Sequence, residues 1–280
     1  MPKVKFTIIT LFEDAIRPYL EASMMWKATE KGLVEFDFVN LREFGLGPHK
    51  SVDDTPYGGG DGMVMRPEPI YAAIEQVKER AKQNGESEPK VILPTPDGMI
   101  WTQELARQFA GVSRPDTSVS AVEKSIGGAK ASQDEAAFVS EVDSMSEVNS
   151  ISETDSMSET DSMSESELRH YIIFCPHYEG YDARILDIVD YKICLGRYVL
   201  TGGELPALII IDSIVRLIPG VLGGDTSAEI ESFSDETGNN IEAPQYTKPQ
   251  DFRGKIVPEV LLSGDHRKVA EWRKAHERRN

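Results

Sequence analysis

Cysteine is scarce: Cys175 and Cys194 are the two in 280 residues. They form no spaced metal motif and no disulfide framework, which excludes a stapled secreted scaffold and makes a reducing cytoplasm the expected compartment. Long apolar runs are missing too. The strongest, residues 208–218, is interrupted by Asp212 and Arg216, which excludes an ordinary membrane-spanning helix. The N-terminal Val4-Lys-Phe-Thr-Ile-Ile9 is too short and too polar for a signal peptide. Basic residues are outnumbered, 30 Lys and Arg against 47 Asp and Glu, for a formal net charge of −17. That balance argues at first against a nucleic-acid ligand. No Gly-Lys-Ser/Thr ending follows Thr201-Gly-Gly203, so a nucleoside triphosphate is not expected, and no GxGxxG follows the first strand, which weakens a dinucleotide reading. No metal site is expected, and a Mg2+ requirement is not visible in the sequence.

The charge is unevenly spread. Residues 113–166 hold 12 acids against 3 bases, a net of −9. Within them Ser152-Glu-Thr-Asp-Ser-Met157 and Ser158-Glu-Thr-Asp-Ser-Met163 repeat one hexapeptide, with degenerate copies at Ser146 and Ser164. Such a tract has too few apolar groups to offset an ordering entropy of about 1–2 kcal/mol per residue. It is expected to be a disordered acidic insertion, residues 113–166.

Around it, strand and helix patterns alternate. Residues 3–9, 34–39, 90–93, 169–174 and 191–195 read as strands. Residues 14–31, 69–83, 102–110, 183–189, 204–217 and 265–279 read as helices, while 219–255 shows little regular pattern. The alternation predicts an α/β fold with a mostly parallel, doubly wound sheet. Ligands of such sheets bind beyond the carboxyl ends of the strands. Three of those ends carry loops with candidate chemistry: residues 93–98, 175–180 and 195–203. They converge if their strands are neighbours.

Single motifs among these are weak. Cys175, His177 and Glu179 alternate, but Pro176 and Gly180 favour a turn over a thiol or metal site. Tyr57-Gly-Gly-Gly-Asp-Gly-Met63 allows close backbone approach to a flat ligand, or is simply a loop. The basic C-terminal residues 265–279, with Trp272, suit either phosphate contact or a solvated helix.

Three segments taken together are specific. Val52-Asp-Asp-Thr-Pro-Tyr-Gly-Gly-Gly-Asp-Gly-Met63, Leu195-Gly-Arg-Tyr-Val-Leu-Thr-Gly-Gly-Glu-Leu-Pro206 and Arg216-Leu-Ile-Pro-Gly-Val-Leu-Gly223 resemble the bacterial tRNA (guanine-N1)-methyltransferases of the SPOUT superfamily. Tyr178-Glu-Gly180, Ser232-Phe233, Gln245-Tyr-Thr-Lys-Pro249 and Val260-Leu-Leu-Ser-Gly264 fall in the same order as in that family. The resemblance implies a parallel sheet with helices on both faces, its C-terminal part tied in a trefoil knot. It also implies a methyltransferase domain over residues 1–223, an interdomain segment over 224–250 and a small helical tRNA-binding domain over 251–280. The expected partners are the anticodon stem-loop of tRNA and a second copy of the chain, with no membrane. The expected methyl donor is S-adenosylmethionine and the target is the guanine 3′ of the anticodon. Another RNA methyltransferase of the superfamily, or a homologue that binds cofactor and RNA with impaired catalysis, is the alternative.

Residue by residue, the resemblance assigns the donor to Thr95, Pro96, Pro176, Tyr178, Glu179, Gly180, Leu195, Gly196, Arg197, Tyr198, Val199, Leu200, Gly202, Gly203 and Pro206. It places the target guanine near Asp53, Tyr57 and Gly62, and gives catalysis to Glu231 and Arg216. This chain departs from the family pattern where Glu231 replaces an aspartate and where Pro176 and His177 replace Gly-Arg. Pro176 has no backbone N–H to offer. The chain also stops soon after Trp272, earlier than is usual for the family.

Overall fold

The sheet follows from the apolar runs. The computed structural model describes residues 3–112, 168–223, 231–234 and 240–278. Its main strands are β1 (Val4–Thr10), β2 (Val34–Asn40), β5 (Lys90–Ile100), β6 (Arg169–Phe174) and β7 (Tyr191–Cys194). These five lie parallel in the order β2-β1-β6-β5-β7. The acidic segment, residues 113–166, lies outside the described residues. Side chains alternate between two cores, as the strand period of two requires. Phe6, Ile8, Ile92, Tyr171 and Ile173 enter one cluster, and Ile9, Val91, Leu93, Ile172 and Phe174 enter the other. Both faces are covered, so these strands read as continuous apolar runs.

On the first face lie α1 (Glu13–Leu20), α2 (Ser23–Glu30), α4 (Gln103–Ala110) and α5 (Glu204–Val215). α3 (Pro67–Gln83) covers the second face with Ile70, Ala73, Ile74 and Val77. Its Pro67 sits at the first helical position, where a missing N–H costs nothing. α5 buries Pro206, Ala207, Ile210, Ile211, Ile214 and Val215, each large side chain worth about 1.5–3 kcal/mol.

Several elements differ from the sequence reading. The helix expected over 14–31 is two helices, α1 and α2, broken at Ala22, which is extended. Leu20 and Met25 are both buried. Five residues apart on one continuous helix they would point roughly 140° away from each other, and the break lets both face the sheet. The segment read as a helix at 183–189 is a 3-10 turn, Ala183–Ile188, with Ile185 its one buried residue. That is too narrow an apolar face to hold a longer helix. The pattern-poor stretches hold two-residue strand pairs: β3 (Asp53–Asp54) with β4 (Val64–Met65), and β8 (Asp251–Phe252) with β9 (Lys255–Ile256). The short helix α6 (Glu259–Leu262) and then α7 (His266–Ala275) end the described chain. Asp265 caps α7 by accepting from the N–H groups of Arg267 and Lys268. No described helix is long and apolar enough to cross a membrane.

β5 runs further than expected because it bulges. Pro94 and Met99 both pair with Ile193, so residues 95–98 loop out of the ladder and the strand then resumes. Gly98 permits this. A Cβ there would lie 2.5 Å from the backbone nitrogen of Ile193.

Candidate functional site

β6, β5 and β7 are spatial neighbours, and their carboxyl ends converge as the sequence reading required. The β5 bulge, the loop after β6 and the loop from β7 into α5 enclose a cleft of about 190 Å³. Pro94, Thr95 and Pro96 form one wall. Pro176, Tyr178, Glu179 and Gly180 form a second, and Leu195, Gly196, Tyr198, Val199, Leu200, Gly202, Gly203 and Pro206 a third. Of the residues assigned to the donor, Arg197 stands apart. It is exposed and does not line the cleft, whereas its neighbour Tyr198 does and folds its ring over Gly196. Pro94, His177 and Thr201, in the loops singled out from the sequence but not assigned singly, also line it, and sequence reasoning missed Tyr181, Ile193 and Cys194.

Backbone geometry explains the glycines here. The Gly203 N–H donates to the Pro176 carbonyl at 2.8 Å. A Cβ on Gly203 would lie 2.5 Å from Pro176 Cδ and 2.6 Å from Cys175 Cα. The chain entering α5 thus runs directly against the chain leaving β6. The loop after β6 is a turn, as its Pro and Gly suggested. Tyr178 has φ of 60°, and Gly180 N–H donates to the His177 carbonyl at 3.2 Å. Cys175 is fully buried, and burial together with the nearby Glu204 charge pushes its thiol well above the ordinary range. A thiolate nucleophile is therefore disfavoured. No group of three candidate metal-binding side chains occurs among the described residues.

The bulge wall is held by side chains. Thr95 Oγ1 donates to Asp97 Oδ1 at 2.7 Å and accepts from the Tyr181 hydroxyl at 3.0 Å, while Lys192 lies 2.6 Å from Asp97 Oδ2. The hydrogen bonds from Lys192 and Thr95 hold the Asp97 carboxyl below its usual range.

The glycine loop adjoins the cleft. Gly58, Gly59, Gly60 and Gly62 all have positive φ, and Tyr57 at its tip is fully exposed. Its stem is stitched to the loop after β6: Glu179 N–H donates to Met63 O, and Met65 N–H donates to Gly180 O, both at 2.9 Å. A Cβ on Gly62 would lie 2.5 Å from Glu179 Cγ, so Gly62 is the contact between loop and cleft wall. Asp53 pairs with Met65 across β3 and β4 at the root of this loop.

Arg216 and Glu231 meet elsewhere. Arg216 caps the far end of α5 and grips Glu231 through both guanidinium nitrogens, at 2.6 and 2.5 Å. Gln103 Nε2 adds a donor at 3.3 Å. The hydrogen bonds to Glu231 raise the Arg216 guanidinium above its ordinary value. Neither residue lines the cleft. α5 has twelve residues, so the pair and the Gly202-Gly203 turn stand roughly 18 Å apart along it.

At the C-terminal end, Trp272 of α7 is half-buried, with His276 stacked on it at 4.1 Å between centroids and Tyr246 edge-on at 6.2 Å.

The chain is similar to known proteins over nearly its whole length. The family model described as tRNA (Guanine-1)-methyltransferase TrmD matches residues 4–114 and 132–280. A tRNA (guanine-N(1)-)-methyltransferase of Clostridioides difficile is 40% identical over 272 residues, 97% of this chain and 91% of that protein. The one from Anoxybacillus flavithermus is 38% identical over 271 residues, 96% of this chain and 85% of that protein. The crystal structure of tRNA (m1G37) methyltransferase from Aquifex aeolicus superposes with a TM-score of 0.62 at 30% identity, covering 99% of this chain and 89% of that one. With the family model matched over 4–114 and 132–280, segments that include every residue lining the cleft, this chain belongs to the tRNA (guanine-N1)-methyltransferase family.

Proposed function

We propose that the chain transfers a methyl group from S-adenosylmethionine to N1 of the tRNA guanine 3′ of the anticodon, acting as a homodimer. One observation carries this reading: a glycine-cradled, largely apolar cleft at three adjacent strand ends, with the glycine loop, residues 57–63, fastened to its rim through Gly62 and Glu179. The fit to the donor is good. Pro96, Leu195, Val199, Leu200 and Pro206 offer apolar walls for an adenine ring, and Gly202 and Gly203 let the third wall close tightly against residues 175–177. When bound, the donor supplies a methyl made electrophilic by its sulfonium. The exposed glycine loop, with Asp53 and Tyr57, receives the target base beside that cleft.

The chain's own task is to make guanine N1 a nucleophile. Glu231 accepts the N1 proton as general base, a role worth typically ~10²–10⁴-fold. Arg216 counters the negative charge that builds toward O6, on the order of 3 kcal/mol by analogy with an oxyanion donor. Within one chain that pair stands at the wrong end of α5 from the cleft, which supports a site completed by the partner subunit. The outer face of α5 supports this too. Leu205 and Ile209 are exposed one helical turn apart, and Phe12 and Val199 nearby are exposed as well. A second copy covering them would bring its own Arg216–Glu231 pair toward the cleft. The close backbone crossings at Gly98 and Gly203 are consistent with a knotted C-terminal half of the sheet domain. The basic α7, with Arg267, Lys268, Arg273 and Lys274, suits phosphate contact in an otherwise acidic chain.

The test is transfer from radiolabelled S-adenosylmethionine to a tRNA transcript, with nuclease digestion to identify 1-methylguanosine. A transcript carrying adenine at the target position should accept no label. Label on another nucleoside would favour a different RNA methyltransferase activity. Absence of transfer with intact donor binding would mark a catalytically impaired homologue.

A further inference from the structure

One side chain that lines the cleft, His177, has no role so far, and it is paired with Glu204 behind it. His177 Nε2 lies 2.6 Å from Glu204 Oε2, and both side chains are mostly buried. Glu204 is the first residue of α5, and its other oxygen accepts from the Thr10 hydroxyl at 2.7 Å. Thr10 Oγ1 accepts from the Phe12 N–H at 2.9 Å, and the Phe12 ring packs on the imidazole with centroids 4.8 Å apart. A Cβ at Gly202 would lie 2.6 Å from His177 Nε2 and 2.7 Å from the Glu204 oxygen. Gly202 therefore leaves the space that this pair occupies. The end of β1, the loop after β6 and the start of α5 are tied together at the floor of the cleft.

The pairing fixes the chemistry of the ring. An ionised carboxylate only accepts, so Nε2 carries a hydrogen and donates to Glu204. Nδ1 is then the remaining polar atom of the ring, and it has no hydrogen-bond partner among the described residues. The charged group paired with the ring is Glu204 from α5, and Glu179 of the same loop also lines the cleft. β4 offers the Met65 sulfur to the His177 backbone N–H, and Tyr178 and Phe12 offer rings. Among the residues lining the cleft, His177 is the one side chain able to carry a positive charge, while Glu179 supplies a negative one.

S-adenosylmethionine ends in an amino acid. Its carboxylate, brought into a mostly apolar cleft, needs a donor to replace water. Resting on the donor-cleft reading above, we propose that His177, protonated on both nitrogens, takes that carboxylate through Nδ1–H, with Glu204 as the positioning residue that holds the ring through Nε2. A neutral ring with its hydrogen on Nε2 would present a lone pair to the anion. Donor binding is therefore coupled to proton uptake, and affinity falls as pH rises.

Titration calorimetry of the full chain tests this with two probes: S-adenosylmethionine, and 5′-methylthioadenosine, which shares the nucleoside but lacks the amino acid. In buffers of different ionisation enthalpy, the unaltered protein should take up a fraction of a proton with the first probe and none with the second. His177→Ala should weaken S-adenosylmethionine by about tenfold or more, the scale of a hydrogen bond to a charged group, abolish the proton uptake and leave methylthioadenosine unchanged. His177→Arg, a permanent cation, should restore much of the affinity without the pH dependence, and it decides the matter if the alanine variant does not fold. Equal weakening of both probes by His177→Ala would make His177 merely structural and overturn the proposal. So would unchanged S-adenosylmethionine affinity, or binding without proton uptake. If the unaltered protein binds neither probe, the donor-cleft reading itself fails and the role of His177 falls with it.

Discussion

The two edges of the parallel sheet are built on different rules. At the carboxyl edge, glycines and prolines leave backbone and aromatic rings open to solvent around a cleft. At the amino edge, charged side chains are buried against each other. Lys5 of β1 reaches Glu35 of β2 at 3.0 Å and Glu86 at 3.2 Å, and His170 of β6 shares a hydrogen bond with Thr7 at 2.8 Å. Glu86 Oε2 lies 3.1 Å from His170 Nδ1 without hydrogen-bond alignment. One edge pairs buried charges with each other, though two of its buried atoms lack a hydrogen bond, and the other leaves an open cleft. Function and acid sensitivity should therefore be separable by mutation.

The largest separation is expected at the carboxyl-edge cleft and at the Arg216–Glu231 pair proposed to complete it. Gly203→Val would push a side chain into the backbone of residues 175–176. It should abolish donor binding in calorimetry and lower stability by about 3 kcal/mol, the upper range for overpacking. Glu231→Gln keeps size and one of the two bonds from Arg216 but accepts no proton. Single-turnover methyl transfer should fall by ~10²-fold or more, with donor affinity and melting temperature nearly unchanged, and Arg216→Ala should be at least as damaging. Glu231→Asp, which restores the family's usual residue, should keep appreciable activity. Near-native chemistry in Glu231→Gln would place the base elsewhere.

The amino edge should respond to pH instead. Burial, helped by the Lys5 charge and opposed by Glu86, lowers the His170 pKa from 6.5 to about 4. Between those values the unfolded chain binds a proton that the folded chain does not, so stability rises with pH through this window and is complete above it. Acidification from pH 6.5 to 4 should cost about 2 kcal/mol through this residue. Burial would raise the Glu86 carboxyl, but Asn84 and Lys5 offset that and hold it lower, which adds to the loss at the acid end. Denaturant midpoints across this range should flatten in His170→Gln, while donor affinity at pH 7.5 stays as it was. The smallest effect is expected at the exposed Asp97–Lys192 pair. Asp97→Asn should cost under about 1 kcal/mol of stability and weaken the donor only a few-fold, because Thr95 keeps its bond from Tyr181.

Much of this contrast was legible in the residues. The apolar runs of β1 and β6 announce strands covered on both faces, the alternation in β2 announces an edge strand, and glycines and prolines mark the loops around the cleft. The bulge in β5 was hidden because Pro94, Pro96 and Gly98 read as the end of a strand, and only pairing to Ile193 shows that it resumes. The α1–α2 break serves burial of Leu20 and Met25, which depends on where the sheet lies. The roles of the donor-loop residues came from resemblance rather than periodicity. The His177–Glu204 pair, 27 positions apart, leaves no local signal beyond a glutamate opening a helix. The amino-edge network joins four separate segments, and no spacing rule connects them.

The bidentate grip of Arg216 on Glu231 bears on base selectivity. A guanidinium presents two parallel N–H donors to a carboxylate. The Watson–Crick edge of guanine presents a similar fork, N1–H beside N2–H, whereas adenine offers a bare lone pair at N1. In the resting chain, the two oxygens of Glu231 are thus already spaced by a surrogate that resembles the edge they are proposed to meet. Guanine can exchange with that surrogate at little cost in geometry. Adenine would set lone pair against lone pair, so on the proposed role of Glu231 the wrong base would be refused before any proton moves.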